Sequence, residues 1–375
     1  MTQQFIELAF AYPLELSMMP TENYFLLPLR VAESMGLEPT VFSLRSRLLQ
    51  SLTSKKEMVD GVRVQRFGGS AQLLLALKSS APSLVHGHSY GWLPATTSPF
   101  VANKYVFTAH SADFGRYPYM VRKILTHLVA RSTIIIALSE TEASEFRPYA
   151  GNRVRVIPHP IDLNFFRSAD STVESELREN YGDSPLIFTI GNLTPVKNLE
   201  ILLYAFERVH RKWTSARLVI AGGSPKVIGG IGSSRHYDGD YFNSLLNLRS
   251  SLRLTDSVSF VGHIPPQLLR AYLRTASAYV HTSLREAQSL STGEAAAAGA
   301  PLVLSDIPVF REYYTDAALF FDRRSVTELE RRLLQVLSEP ESTIALRRKA
   351  QECVDRFNPS SIFERMRRVY EECLT

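Results

Sequence analysis

The chain has 375 residues, 45% of them hydrophobic and 21% charged, the composition of a globular protein with room for two cores. Its two cysteines, Cys353 and Cys373, exclude a disulfide framework and a cysteine zinc site, and no apolar run spans a bilayer or resembles a signal peptide, so a reduced, cytoplasmic setting is expected. The net charge of +5 lies wholly in residues 1–160, with 16 Lys and Arg against 11 Asp and Glu, whereas any RNA-binding motif or basic–aromatic stripe is absent, which argues against nucleic acid.

That basic half suits an anionic membrane at the inner face of the cell, an anionic acceptor, or simply a solvated face. Phe5 to Tyr12 predicts a first strand, followed by a proline-bounded loop from Pro13 to Pro20. Helical spacing runs from Tyr24 to Met35 and stops at Gly36; Thr40–Leu44, Val62–Val64, Ser83–His86 and Lys104–Thr108 predict further strands. Ser132 to Ser139 is nearly continuous Ile, Leu and Ala, as a parallel strand covered on both faces requires. Met120 to Val129 predicts an amphipathic helix with Arg122 and Lys123 at its edge; a core-facing helix is preferred to a membrane-surface one.

Strands alternating with helices predict a doubly wound α/β domain, whose ligands sit beyond the carboxyl ends of the strands. His86, His88 and His110 all fall at or just after such ends. For His86 and His88 a loop histidine capping local backbone is preferred; His110, in Thr108-Ala109-His110-Ser111, is taken as functional.

The second half repeats the alternation. Leu186 to Gly191 predicts a strand ending in glycine; Asn192 to Asn198 then leads into a helix carrying Leu199, Leu202, Leu203 and Phe206. Lys197, at the mouth of that strand–loop–helix turn, is well placed to pair with a phosphate. Arg217 to Gly223 is the next strand and turn, and the Gly-, Ser- and Asp-rich stretch from Ser224 to Tyr241 predicts an excursion at a rim. Ser257 to His263 predicts another strand, Pro266 to Ala276 a helix, and Ala278 to His281 a strand.

A turn of Glu286, Ala287, Gln288, Ser289 and Leu290 follows, then an alanine-rich helix that Gly299 and Pro301 end. A helix beginning near Ser289 points its unpaired N–H groups and positive dipole end toward Glu286, a geometry that binds phosphate. Glu294, about one turn in, could accept hydrogen bonds from a diol such as ribose. The last segment, Phe357 to Leu374, predicts a long amphipathic helix.

The Glu286 to Glu294 spacing resembles the E-x7-E element of the retaining nucleotide-sugar glycosyltransferases of the GT-B fold, glycosyltransferase family 4, and Ala300 to Pro308 resembles that family's next strand and loop. The resemblance runs over essentially the whole chain and is most specific around 188–206 and 278–314. It implies two Rossmann-like doubly wound domains facing a central cleft, residues 1–163 on the acceptor side and 164–357 for the donor, with a C-terminal helix, 358–375, crossing back to the first. It implies transfer of a sugar from a nucleotide-diphosphate donor to the hydroxyl of a glycan, lipid-linked or small-molecule acceptor, with retention, no bound metal and no further cofactor, the departing phosphate acting as base.

Residue by residue, it places Lys197 on the diphosphate, His110 and Glu286 on the sugar and Glu294 on the ribose. Gly191, Asn192, Ala287, Gln288, Ser289 and Leu290 join the donor site, and Gly262 and His263 lie near the nucleobase. Three departures stand out. Asn192 occupies the place of a usual arginine, Ser17 to Glu22 lacks the usual glycine pair, and His159-Pro160 replaces the common Asn-Gly. The first two are what a non-catalytic partner subunit would show; an epimerase or phosphorylase would call for a cofactor lysine or a separate acid pair.

Overall fold

A computed structural model describes residues 3–9, 23–44, 55–59, 61–88, 104–110, 119–223 and 239–375. The loop from Pro13 to Pro20, the glycine-pair region Ser17 to Glu22 and all but the end of the Ser224 to Tyr241 excursion lie outside those residues. The chain divides into two units, Met1–Pro160 with Pro359–Thr375, and Ile161–Asn358.

The first unit is built on β1 (Gln4–Ala9), β2 (Glu38–Leu44), β3 (Lys55–Val59), β4 (Val62–Phe67), β5 (Leu84–His88), β6 (Tyr105–Thr108), β7 (Ile134–Ala137) and β8 (Val154–Val156), ordered β3-β4-β2-β1-β5-β6-β7-β8. All pair in parallel except β3, which runs antiparallel to β4 at the edge. Sequence periodicity misses β3 because Lys55-Lys56-Glu57 carries the charge that edge strands use against further pairing. The rest of the first predicted run, beyond Ala9, lies outside the described residues; β7 is shorter than its apolar run suggests, covering only the four buried residues Ile134–Ala137.

Alternate residues of each strand feed opposite cores. Ile6, Leu8, Phe107 and Ile135 pack with the helices Ser70–Ser80, Tyr119–Val129 and Glu140–Ala150. Phe5, Val41, Val106 and Ile136 pack on the other face with the helices Asn23–Ser34 and Pro359–Leu374. The C-terminal helix thus returns to the first unit, burying Ile362, Met366, Val369, Tyr370 and Cys373. The helix Tyr119–Val129 buries Leu125 and Val129 but leaves Tyr119, Met120 and Ile124 exposed, so it is only partly the core-facing helix expected.

The second unit carries β9 (Leu186–Ile190), β10 (Arg217–Ala221), β11 (Val258–Gly262), β12 (Ala278–His281), β13 (Leu302–Ser305) and β14 (Leu319–Phe321), all parallel, ordered β11-β10-β9-β12-β13-β14. This is the doubly wound order, with strand succession reversing between β9 and β12. Here too alternate residues split: Phe188, Tyr279 and Leu304 to one core, Ile187, Val280 and Val303 to the other. The chain enters this unit at Ile161, whose N–H bonds Phe357 O at 2.9 Å just before the chain leaves.

Candidate active site

The reversal point puts the carboxyl ends of β9 and β12 side by side, and the two turns that leave them are stitched together. Thr282 Oγ1 donates to Lys197 O at 2.6 Å, and Leu284 N donates to Val196 O at 2.9 Å. Lys197 ends a short 3-10 turn, Pro195–Lys197, and Asn198 takes a left-handed φ of 52° to start the helix Leu199–Lys212. Gly191 lies beside the lysine stem: a Cβ there would sit 3.3 Å from Lys197 Cε. Gly222, at φ +107°, lies so close that a Cβ would be 2.1 Å from Gly191 O. Its N–H reaches Gly262 O at 2.7 Å, so the ends of β9, β10 and β11 meet through three glycines.

Lys197 Nζ donates to Glu286 Oε1 at 2.5 Å. The same oxygen accepts from Ser283 Oγ at 2.7 Å and lies 3.0 Å from His281 Nε2. Burial works to raise the Glu286 carboxyl, but the Lys197 charge and the His281 hydrogen bond outweigh it and hold the carboxyl well below the usual range. Burial lowers His281 in turn, so at neutral pH its ring is neutral beside an ionised pair. Gly191, Asn192, Lys197 and His281 line a small pocket over these strand ends.

The helix Leu290–Ala298 begins one residue later than Ser289, its N-cap, which adopts φ 70° and accepts from Thr292 N at 3.4 Å. A non-glycine residue in that region costs roughly 1 kcal/mol or more. Ser291 Oγ accepts from Tyr279 OH at 3.0 Å, fixing the first turn to β12. The helix is buried from Thr292 to Ala298, and a Cβ on Gly293 would lie 2.2 Å from Ile161 Cδ1, which is why that position is glycine. Within it Glu294 is completely buried, and among the described residues neither carboxylate oxygen has a hydrogen-bond partner. Burial pushes its carboxyl up to about 8. A buried carboxyl without a hydrogen bond costs several kcal/mol, and native folds keep such a group only for a reason: strain, catalysis, or a bound water, ion or ligand.

Of the expected residues, Lys197, Glu286, Gly191 and the Ser289–Glu294 turn come together at β9 and β12. Gln288 is buried beside that turn, Ala287 and Leu290 are half-buried, and Asn192 is exposed at the pocket rim. Gly262 and His263 lie at the end of β11, two strands away, with His263 exposed. His110 lies in the first unit, 8% exposed, at the end of β6. His86 and His88 are not loop caps: both lie inside β5 and contact side chains. His86 bonds Tyr370 OH at 2.6 Å and Thr108 Oγ1 at 2.7 Å. Sequence reading passes over His281 and Ser283 as partners of Glu286; their only signal is their place five and three residues before it.

Two doubly wound units, the second with a lysine, a glutamate pair and a helix N-terminus at its switch point, define a two-unit α/β protein with a site whose geometry suits an anionic ligand. Comparison narrows that class. Residues 171–353 match the model of the glycosyl transferases group 1 and residues 29–165 that of glycosyltransferase family 4. The matches follow one another and together span most of the chain, which belongs to the group 1 glycosyl transferases of family 4.

Among similar proteins is the alpha-monoglucosyldiacylglycerol synthase of Streptococcus pneumoniae, 28% identical over 167 residues, which are 43% of this chain and 34% of that one. Another is the GDP-mannose-dependent alpha-(1-6)-phosphatidylinositol monomannoside mannosyltransferase of Mycobacterium tuberculosis, 23% identical over 65% of this chain and 63% of that one. The match thus takes in less than two thirds of either relative's length. Sucrose-phosphate synthase from Thermosynechococcus elongatus superposes with a TM-score of 0.79 at 18% identity, over 99% of this chain and 98% of that one. Anabaena Alr3699/HepE in complex with UDP gives 0.78 at 17%, over 99% and 100%. These likenesses establish the GT-B fold.

Proposed function

We propose that the chain transfers a sugar from a nucleotide-diphosphate donor to an acceptor hydroxyl, with retention and without a bound metal. Residues 164–357 hold the donor; residues 1–163, with 358–375, serve the acceptor. The observation that carries this is Glu294, sealed and without a hydrogen-bond partner among the described residues, one turn into the helix that starts beside the Lys197–Glu286 pair. Glu294 accepts from the ribose diol. Lys197 leaves Glu286 for the diphosphate, and Glu286, so released, takes sugar hydroxyls. Lys197 and the first turn at Ser289 and Leu290 stabilise charge growing on the departing phosphate, which is transition-state electrostatics rather than ground-state binding. Gly191, Asn192, Ala287 and Gln288 offer backbone and side-chain donors around the diphosphate; Gly262 and His263 border the base, and His110 serves the sugar from the first unit.

Relatives named for diacylglycerol and phosphatidylinositol glycolipids support a lipid-linked acceptor. So do Tyr119, Met120 and Ile124, exposed beside Lys123 on the basic half of the chain. Among the described residues no helix is long and apolar enough to cross a membrane, so the contact would be peripheral.

The test is a thermal-shift and calorimetric screen of UDP, GDP and ADP sugars. A ligand bound only by the folded state raises the melting temperature. One nucleotide is expected to stabilise the wild type, and Glu294→Ala to lose most of that gain. Absence of binding at millimolar excess would transfer the reading to a non-catalytic partner subunit of the same fold.

A further inference from the structure

The three groups that hold Glu286 all reach one oxygen. Lys197 Nζ, Ser283 Oγ and His281 Nε2 stand 2.5, 2.7 and 3.0 Å from Oε1, so among the described residues Oε2 is left open. His281, 2% exposed, comes from β12 itself. Its other nitrogen, Nδ1, lies 3.2 Å from Tyr279 OH, which donates to Ser291 Oγ at 3.0 Å. Ser283 Oγ, 3.2 Å from Nε2, donates to Glu286. Ser289 Oγ stands at 3.5 Å, where a hydrogen bond is weak. Both ring nitrogens thus face acceptors. A neutral imidazole has one N–H, so either tautomer turns a lone pair toward an oxygen; the imidazolium, with two, satisfies both.

We propose that His281 takes up one proton when a nucleotide-diphosphate donor draws Lys197 away, and so replaces the lysine as the cation that holds Glu286; this rests on the transferase reading above. The proton comes from solvent and forms one N–H bond on the ring, and no other covalent bond changes. Ser283 and His281 then keep Oε1 in place while Oε2 accepts from the sugar hydroxyls. His281 acts through Glu286 and is a positioning residue. When the nucleotide leaves, Lys197 returns to the carboxylate and the ring gives its proton back.

Charge favours the handover. Lys197 is the one cation among the described residues that line the pocket over these strand ends. Once the lysine pairs with the diphosphate, the ionised carboxylate has lost its counter-charge and the phosphates add more negative charge beside it. At rest, burial lowers the His281 ring, the Glu286 hydrogen bond opposes that, and the Lys197 charge adds to the lowering. Departure of the lysine removes a lowering influence and leaves the raising one. Among the described residues Lys197 and Glu286 are the charged groups that act on the ring. Of its other neighbours, Tyr279 is neutral because burial raises its hydroxyl. Phe310, from the helix Pro308–Tyr314, meets the ring edge-on at 5.2 Å and brings no charge.

The experiment uses the full chain with nitrogen-15 in its histidine rings, read by NMR at neutral pH; His281→Gln identifies the ring by the loss of its signals. Two perturbations take Lys197 from Glu286. Lys197→Met does so without a ligand, with Lys197→Gln as the alternative should Met disturb the fold. UDP, GDP and ADP sugars, added in turn to the wild type, do so by binding. Each is expected to place an N–H on both nitrogens of His281. A ring that stays neutral in the folded lysine variant, or in wild type with a nucleotide sugar bound, would overturn the handover. Affinity gives a second readout, because His281→Gln keeps a neutral donor but cannot charge. Binding that takes up a proton weakens as pH rises, so the Kd of the variant divided by that of the wild type is expected to fall by up to about tenfold per pH unit. A merely structural role for the ring would hold that ratio constant. Glu294, which gives up a proton when it ionises for the ribose, acts on both proteins alike and cancels. If no nucleotide sugar binds, the transferase reading falls, and the ligand-free lysine variant still decides whether His281 takes the place of Lys197.

Discussion

Glu294 is the residue at which the proposed function and stability oppose each other. Burial holds its carboxyl near 8, against an ordinary value of 4.5. Between those two pH values the unfolded chain has released a proton that the folded chain keeps, so rising pH favours unfolding; the penalty is absent below 4.5 and complete above 8. Glu294→Gln removes it. Urea melts of the ligand-free protein are expected to show the variant more stable by on the order of 4 kcal/mol near the upper end of that window and unchanged at the acid end. The same variant is expected to lose the nucleotide stabilisation proposed above. An equal stability difference at all pH values would mean that the carboxyl is not held protonated by the fold. Glu286 behaves oppositely, because Lys197 stands 2.5 Å away and keeps it ionised. Two glutamates eight positions apart in one motif thus carry opposite proton states, and their surroundings alone distinguish them.

At the scale of elements, close backbone approach rather than side chains shapes the proposed donor site. Gly222 combines a φ of +107° with a Cβ position 2.1 Å from Gly191 O, and neither obstacle can yield, since both are main chain. Gly222→Ala is expected to cost more than about 3 kcal/mol. Gly61→Ala, at φ +79° with open space around it, should cost about 1 kcal/mol. Equal losses in denaturant titrations would refute the role given to the three-glycine contact. The glycines at strand ends are visible in the sequence, as are β9, β10, β12 and β13, whose continuous apolar runs reflect burial on both faces. The edge strand β3 is not, because solvent on its rim permits Lys and Glu where a central strand would need apolar residues.

At the scale of the whole molecule, each unit has its own pair of cores, and the last helix belongs to the first. Ending the chain at Asn358 strips Ile362, Met366, Val369 and Tyr370 from the core shared with Phe5, Val106 and Ile136. Calorimetry of that variant is expected to show the transition of the first unit falling by many degrees or vanishing, with that of the second, including its nucleotide-dependent shift, retained. Loss of both together would mean that the units do not unfold as separate bodies.

What the sequence by itself determined is local: the alternation that makes both units doubly wound, the glycine and alanine helix, and the Glu286 to Glu294 spacing. Each is written within a few turns of chain, where periodicity and capping act. Only the tertiary structure decided the partners: Lys197 with Glu286 across 89 positions, and Thr282 with the Lys197 carbonyl across 85. Those contacts are made by strand order, since a parallel sheet that reverses its winding brings the ends of sequence-distant strands together, and no local pattern records which side chains will meet there.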